Sequence, residues 1–446
     1  MAILASSRKI IVLDDDPTGS QTVHGCLLLL RWDVETLMVA LQDPSPIFFV
    51  LTNTRSLPPA QAETVTREVC RNLKRAIATL HNPDIVPDIL IVSRSDSTLR
   101  GHYPLETDAI AAELGPFDAQ FLVPAFLEGG RITRNGTHFV VTSEGDGNPT
   151  QALPVHKTEF ARDRDFPFHY SFLPEYIEEK TQGGIHAEQV DRIDLQDLRG
   201  DRQTLTQRLQ NYHHNQTVAV DGELQSDLDA FASALRSTTG KKYLFRSAAS
   251  LLTSLANLPP QAIAPESMGH YRRNDNPGLV IVGSHVQKTT DQLQDLLQQP
   301  GAIALEIPVA HLTPDNLDHH AQALQTQLHH HWHQGHTPVV YTSRIVISNP
   351  SLVPPIPQLI TQLITHLIHT APPISFLISK GGITTNNLLT HSLALTTVRL
   401  LGQIIPGVSL IATAADHPRH PNLPIVTFPG NVGSTTALTQ VYQQLS

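Results

Sequence analysis

Residues Ile10–Gln21 read IIVLDDDPTGSQ, and this stretch decides the fold. Ile10, Ile11, Val12 and Leu13 form an apolar run without alternation, which predicts a strand buried on both faces of a parallel sheet. Three carboxylates follow, Asp14, Asp15 and Asp16, and then Pro17, Thr18 and Gly19 turn the chain. Open α/β sheets bind ligands beyond the carboxyl ends of their strands, which is where these acids fall. Three like charges in a row are costly unless a cation, a hydroxyl or a basic side chain answers them. The stretch therefore predicts an α/β fold with a functional strand end, against the plainer reading of an acidic turn in solvent.

Working outward, strand and helix patterns alternate through the first 125 residues. Strands are predicted at Ile10–Leu13, Cys26–Leu30, Ile47–Leu51, Ile89–Val92 and Phe121–Val123. A helix is predicted over Pro59–Leu80, where Val65, Val69, Leu73 and Ile77 recur every four residues. Three more strand ends carry polar clusters: TNTRS (Thr52–Ser56), SRSDSTLRG (Ser93–Gly101) and PAFLEGGRIT (Pro124–Thr133). On a parallel sheet these four loops share one edge, and they bring Arg55, Arg94, Arg100 and Arg131 beside hydroxyls and carboxylates. Such a rim suits a small polyhydroxylated anion, because Arg forks hold a carboxylate or phosphate while Asp and Ser take hydroxyls. For Arg100 alone, a helix cap or a pair with Glu106 is the plainer alternative.

The chain from Thr137 to Lys180 is less regular, and HKTEFARDRDFPF (His156–Phe168) reads as a loop or lid. α/β texture then returns with a strand near Thr217–Val220 and helices near Leu224–Leu235 and Ala248–Leu258. A proline-rich, weakly periodic stretch makes 258–277 a linker between domains at 1–257 and 278–446. The second half restarts with a buried strand, Leu279–Val282. Further strands are expected at Ile303–Ile307, Pro338–Tyr341, Ile374–Ile378, Val398–Leu401 and Ile425–Thr427, with helices between them. The predicted class is α/β, in two domains that each hold a mostly parallel sheet flanked by helices.

Three glycine-bearing loops follow strands in the second half: GSH (Gly283–His285), KGGIT (Lys380–Thr384) and PGNVGSTT (Pro429–Thr436). Glycine lets backbone N–H groups approach phosphate, and a following helix adds its positive N-terminus. For Ser284 and Thr384 the structural alternative is a helix N-cap. Gly283 with Lys288 and Thr289 mimics part of a Walker A motif but lacks the glycine before the lysine, and no GxGxxG follows a strand.

Bulk properties narrow the partners. At 446 residues the chain is too long for one ordinary core. A formal net charge of −10 argues against a nucleic-acid or anionic membrane surface. Cys26 and Cys70 lack metal-ligand spacing and read as reduced core residues. Neither a signal peptide nor a membrane span is legible, so a cytoplasmic location is expected. The histidines of His329–His336 lack ordered ligand spacing and read as an exposed helix end; no metal site is assigned.

Taken together, these motifs resemble the four-carbon acid sugar kinase family. DDDPTG is similar to its DDxTG opening, TNTRS to its Asn-Thr-Arg-Ser stretch, and SDSTLRG (Ser95–Gly101) to its Asp-Ser-Thr-x-Arg-Gly loop. GSH, GGIT and PGNVG are similar to its Gly-Ser, Gly-Gly-x-Thr and Gly-Asn-x-Gly segments, with Ile383 where the family commonly has an acid. The resemblance implies an N-terminal domain binding a threonate, erythronate or 3-oxo-tetronate, a C-terminal domain binding ATP with Mg²⁺, and a homodimer. It assigns Asp15, Asp16, Arg55, Arg94, Ser95, Asp96, Ser97 and Arg100 to the sugar acid. Asp16 and Asp96 become the catalytic carboxylates, with Arg55, Arg94 and Arg100 clamping the substrate carboxylate. Ser284, Gly381, Gly382, Ile383, Thr384 and Gly430 go to ATP. Two other readings stay open. Asp14-x-Asp16-x-Thr18 fits a haloacid-dehalogenase-type phosphatase with Asp14 as nucleophile, and the same pocket would serve a non-catalytic sugar-acid sensor.

Overall fold

The computed structural model describes residues 8–17, 19, 22–80, 88–142, 151–344 and 356–446; Thr18, Ser20 and Gln21 of the opening stretch lie outside them. The chain divides into two compact units, Met1–Pro259 and Pro260–Ser446. The first contains β1 (Lys9–Asp14), β2 (Leu27–Leu29), β3 (Ile47–Leu51), β4 (Ile89–Arg94), β5 (Ala119–Val123), β6 (Arg131–Arg134), β7 (Thr137–Thr142), β8 (Gln151–Pro154), β9 (Asp191–Ile193), β10 (Gln216–Val220) and β11 (Tyr243–Ser247). Eight of these form one sheet in the order β2-β3-β1-β4-β11-β5-β10-β9. Every neighbouring pair in it is parallel. Strands β6, β7 and β8 form a separate antiparallel sheet.

The apolar run that suggested β1 is its core: Ile10, Ile11 and Val12 are at most 1% exposed. Each is worth roughly 1.5–3 kcal/mol of burial. The predicted helix Pro59–Leu80 forms and buries Ala62, Thr66, Val69, Cys70, Leu73 and Ala76 at helical spacing. Both cysteines are buried, and burial pushes the Cys70 thiol up to about 12.

The second unit contains β12 (Leu279–Val282), β13 (Ala302–Ile307), β14 (Thr337–Thr342), β15 (Leu377–Lys380), β16 (Thr397–Ile405), β17 (Val408–Ala412) and β18 (Pro424–Phe428). Their order is β13-β14-β12-β15-β18-β17-β16, parallel through β18 and antiparallel beyond it. One face buries Val280, Val282, Ile378, Val426 and Phe428 against Leu293, Leu438 and Val441 of helices Gln287–Leu296 and Ala437–Leu445. Met268, in the short 3₁₀ segment Pro265–Tyr271, is buried in this core.

In both units the strand order reverses beside the first strand. β1 is followed by β2 and β3 on one side and β4 on the other; β12 is followed by β13 and β14 on one side and β15 on the other. Such switch points open a crevice at the carboxyl edge, because the connections leave the two strands in opposite directions.

Several elements escaped the sequence. β11 is short, follows Lys241 and Lys242 and ends in Arg246 and Ser247, so its apolar part is only three residues long. β6 is half arginine, and β7, β8 and helix Leu173–Lys180 lie in chain read as irregular. No described helix is long and apolar enough to cross a membrane.

Candidate active site

Because β1, β3, β4 and β5 run parallel, their following loops meet at one edge. The Arg55 guanidinium spans the carboxylates there: Nη2 lies 2.5 Å from Asp15 Oδ1, Nε 3.1 Å from Asp15 Oδ2 and Nη1 3.1 Å from Asp16 Oδ2. Asp96 Oδ1 is 3.7 Å from the same Nη1. These carboxylates hold Arg55 firmly protonated despite its burial. Arg94 Nη1 sits 3.4 Å from Asp15 and 3.5 Å from Asp14. Arg100 bonds Asp96 at 2.8 Å and Asp163 at 3.3 Å. The alternative Glu106 pair for Arg100 is thereby excluded, since Glu106 pairs with Arg246.

The four carboxylates differ. Burial opposes the charge of Asp96, yet Arg55, Arg100 and Thr98 overcome it and hold the group far below the ordinary carboxylate range. Asp14 is 1% exposed, and one of its oxygens has no hydrogen-bond partner among the described residues. Burial dominates there, with Arg94 opposing it, and its pKa rises to about 7. Asp16 is the most accessible of the acid run, at 23% side-chain exposure.

Beneath the cluster lies a buried polar chain. Arg246, 2% exposed, donates to Ser93 Oγ at 2.7 Å and to Glu106. Glu106 accepts from Thr54, whose hydroxyl is 3.1 Å from Thr52 Oγ, and Thr52 donates to the Asp14 carbonyl at 2.9 Å. The ends of β1, β3, β4 and β11 are thus tied together below the acids. Gly101 has φ +121°, and a Cβ there would stand 2.8 Å from Arg246 and 3.2 Å from Asp15. Leu99 is left-handed at φ 67°, held by burial and by Tyr176, whose hydroxyl donates to the Leu99 carbonyl at 2.8 Å.

His138 on β7 supports the same loop, with Nε2 2.7 Å from the Ser97 carbonyl and Nδ1 2.9 Å from Thr133 Oγ. Burial lowers its pKa to about 4, so the ring is neutral and Nε2 is the donor to Ser97. The segment expected to be a lid contributes Phe160, with Arg100 5.1 Å and Arg131 6.0 Å from its ring centre, and Asp163. Among the described residues Arg131 forms no ion pair and its buried Nε lacks a partner, while Nη1 donates to the Gly129 carbonyl. Of the predicted residues, Ser95 is buried, with its N–H bonded to the Ser247 carbonyl, and Ser97 is half-buried.

In the second unit the three glycine loops converge at the other switch point. A Cβ on Gly381 would stand 3.0 Å from Ser284 Cβ, and one on Gly430 would stand 2.6 Å from Ser284 Oγ. Thr289 donates to the Gly430 carbonyl at 2.8 Å and to Ser284 Oγ at 3.2 Å. Gln292 reaches the carbonyls of Val432 and Ser434. The N-cap alternatives fail, because the caps are Val286 and Gly381. Gly382 begins helix Gly382–Asn387, Thr384 packs against Gly283, and Ile383 is 68% exposed. Arg344 donates to the Ser284 carbonyl, and its buried Nε and Nη2 have no partner among the described residues. Beside Gly283 and Thr384 opens a cavity of about 390 Å³ lined by Val309, Ile356, Ile360, Ile364, Ile383 and Leu388.

A cradle that a single Cβ would fill suits close approach of phosphate oxygens to backbone N–H groups. Among the described residues no group of three or more His, Cys, Asp or Glu side chains is arranged for a metal ion. Mg²⁺ binds substrate phosphates while keeping several waters, so it needs few protein oxygens. The hydroxyl of Ser284, half-buried between Gly381 and Gly430, fits that demand.

Known proteins agree with this architecture. Residues 10–255 match the family description "Sugar-binding N-terminal domain", and residues 279–438 match "Nucleotide-binding C-terminal domain". The chain belongs to the four-carbon acid sugar kinase family. Among curated proteins it is similar to the D-erythronate kinase of Heliobacterium modesticaldum, 26% identical over 230 residues. That match covers 50% of this chain and 47% of the relative, about half of each. Two solved structures share the fold over nearly the whole chain. One is from Salmonella typhimurium LT2 (TM-score 0.68, 18% identical, covering 99% of this chain and 100% of that one). The other is a DUF1537 protein from Haemophilus influenzae (TM-score 0.64, 16% identical, covering 98% and 100%).

Proposed function

We propose that this protein is an ATP-dependent kinase that phosphorylates a hydroxyl, the terminal one, of a four-carbon sugar acid such as threonate, erythronate or a 3-oxo-tetronate. The observation that carries the reading is the packing of Ser284, Gly381 and Gly430 into one cradle. An anion pocket in the first unit alone would equally suit a sensor, whereas a second, phosphate-shaped site calls for a nucleotide.

Asp15, Asp16 and Asp96 take substrate hydroxyls, held in place by Arg55. The predicted carboxylate clamps, Arg55, Arg94 and Arg100, are each already engaged by aspartates. Arg131 is the guanidinium left for the substrate carboxylate. The substrate hydroxyl oxygen attacks the γ-phosphorus, the bond to the β–γ bridging oxygen breaks, and ADP leaves. Asp16 accepts the hydroxyl proton; Asp96, held ionised by two arginines and a threonine, is a poor proton acceptor and orients the substrate instead. Ser284, Gly381, Gly382, Thr384 and Gly430 hold the phosphates, with Ile383 toward the apolar cavity. The Ser284 hydroxyl, kept in place by Thr289, would hold Mg²⁺, which would supply charge neutralisation when bound.

The phosphatase reading needs Asp14 as an accessible nucleophile, which its 1% exposure disfavours. The deciding experiment follows ADP release with Mg²⁺ across D- and L-threonate, D- and L-erythronate and their 3-oxo counterparts, beside Asp16→Ala. Turnover of one acid, lost in the variant, supports the kinase and identifies its substrate. Tight binding of an acid with no ADP release supports the sensor, and phosphate release from a sugar phosphate supports the phosphatase.

A further inference from the structure

Lys380 is the last residue of β15, the position before Gly381, and it is 0% exposed. Its ammonium donates to the Pro429 carbonyl at 2.9 Å and stands 3.9 Å above the Phe428 ring. No carboxylate pairs with it among the described residues. An ammonium has three donors, and burying one without a counter-ion is costly unless something else repays it. The surroundings add positive potential: β15 sits between β12 and β18 in the sheet, whose loops lead into helices Gln287–Leu296 and Ala437–Leu445 with their N-termini toward this edge.

We propose that Lys380 is a phosphate-binding residue, the buried cation whose counter-ion is the phosphate chain of the bound nucleotide. The inference rests on the kinase reading above and assigns a residue to its nucleotide site. Lys380 ties the KGGIT loop to the PGNVG loop through Pro429. With nucleotide bound, a second donor goes to a phosphate oxygen exposed between Gly381 and Gly430. Burial, aided by Lys288 on helix Gln287–Leu296, lowers its pKa to about 7. A phosphate at hydrogen-bond distance raises it again, so binding above neutral pH takes up a proton.

The test is calorimetric titration of the full chain with MgADP and with adenosine, using wild type, Lys380→Met and Lys380→Arg. Thermal melts establish that the variants are folded. The expected result is a loss of roughly 10- to 100-fold in MgADP affinity for Lys380→Met. Adenosine affinity should be unchanged and Lys380→Arg intermediate. Wild type titrated at pH 8 in buffers of different ionisation enthalpy should show proton uptake, a readout that needs no variant. Folded Lys380→Met binding MgADP as wild type does, or wild-type binding without proton uptake, overturns the assignment while leaving the kinase intact. Wild type that binds no nucleotide overturns both.

Discussion

Arg55 grips Asp15 through two nitrogens, Nη2 at 2.5 Å and Nε at 3.1 Å, while its remaining nitrogen reaches Asp16 at 3.1 Å. One planar fork therefore sets the spacing of two adjacent carboxylates. Removing it leaves buried charge uncompensated, which costs about 3–5 kcal/mol for a buried pair. Arg55→Met should lower kcat/KM at least ~100-fold and depress the melting temperature. Arg55→Lys should recover little, because an ammonium cannot span both acids. Steady-state kinetics beside thermal melts check this.

Asp16 and Asp96 should separate in kinetics. Asp16→Asn removes the proton acceptor and should lower kcat with little change in the KM for the acid. Asp96→Asn loosens the grip on the substrate and should chiefly raise that KM. Equal effects on both constants from both variants would contradict the division of roles.

Arg131→Met should raise the KM for the sugar acid roughly 10- to 100-fold, the worth of a charged hydrogen-bonded contact. The KM for ATP should stay constant. A competition titration with a plain polyol, which lacks the carboxylate, should give the same affinity for variant and wild type.

Gly430→Ala adds a methyl group 2.6 Å from Ser284 Oγ, forcing that hydroxyl away from Thr289. The KM for ATP should rise several-fold while the acid's stays fixed. Both are read from the same ADP-release assay.

Asp14 makes stability depend on pH. Its pKa is about 7 folded against an ordinary 3.8, so between those values the native state binds a proton that the unfolded chain does not. This contribution is complete below pH 4 and is lost as the pH rises through 7, on the order of a few kcal/mol. Asp14→Asn should flatten that slope in denaturant melts run from pH 4 to 8. The opposite dependence of Asp96 falls at lower pH and does not interfere.

What the sequence disclosed and what it hid have physical reasons. The runs Ile10–Leu13 and Leu279–Val282 announced parallel strands because a strand covered on both faces must be apolar throughout. The acids and glycines at the ends of those strands were equally plain, since loop chemistry is local. Arg246, Glu106, His138 and Tyr176 were not visible. Arg246, His138 and Tyr176 reach the site from other segments, Glu106 follows the SDSTLRG loop but turns to Arg246, and a lone polar residue in an apolar pattern does not advertise what it will meet. The engagement of Arg55, Arg94 and Arg100 by aspartates was also hidden, because pairing partners depend on the sheet order. Only the position of β11 could have disclosed the Arg246–Glu106 pair, and its three apolar residues gave too weak a signal.

β11 lies between β4 and β5 although it follows them by more than a hundred residues of chain. On a ribosome, β1, β3, β4 and β5 emerge early, but the central gap of their sheet stays open until Tyr243–Ser247 is synthesised. The pocket is therefore finished from the inside by the last strand of its unit, which brings Arg246 up beneath Glu106. A nascent chain stopped short of that strand holds every motif of the pocket but lacks the arginine that closes its floor.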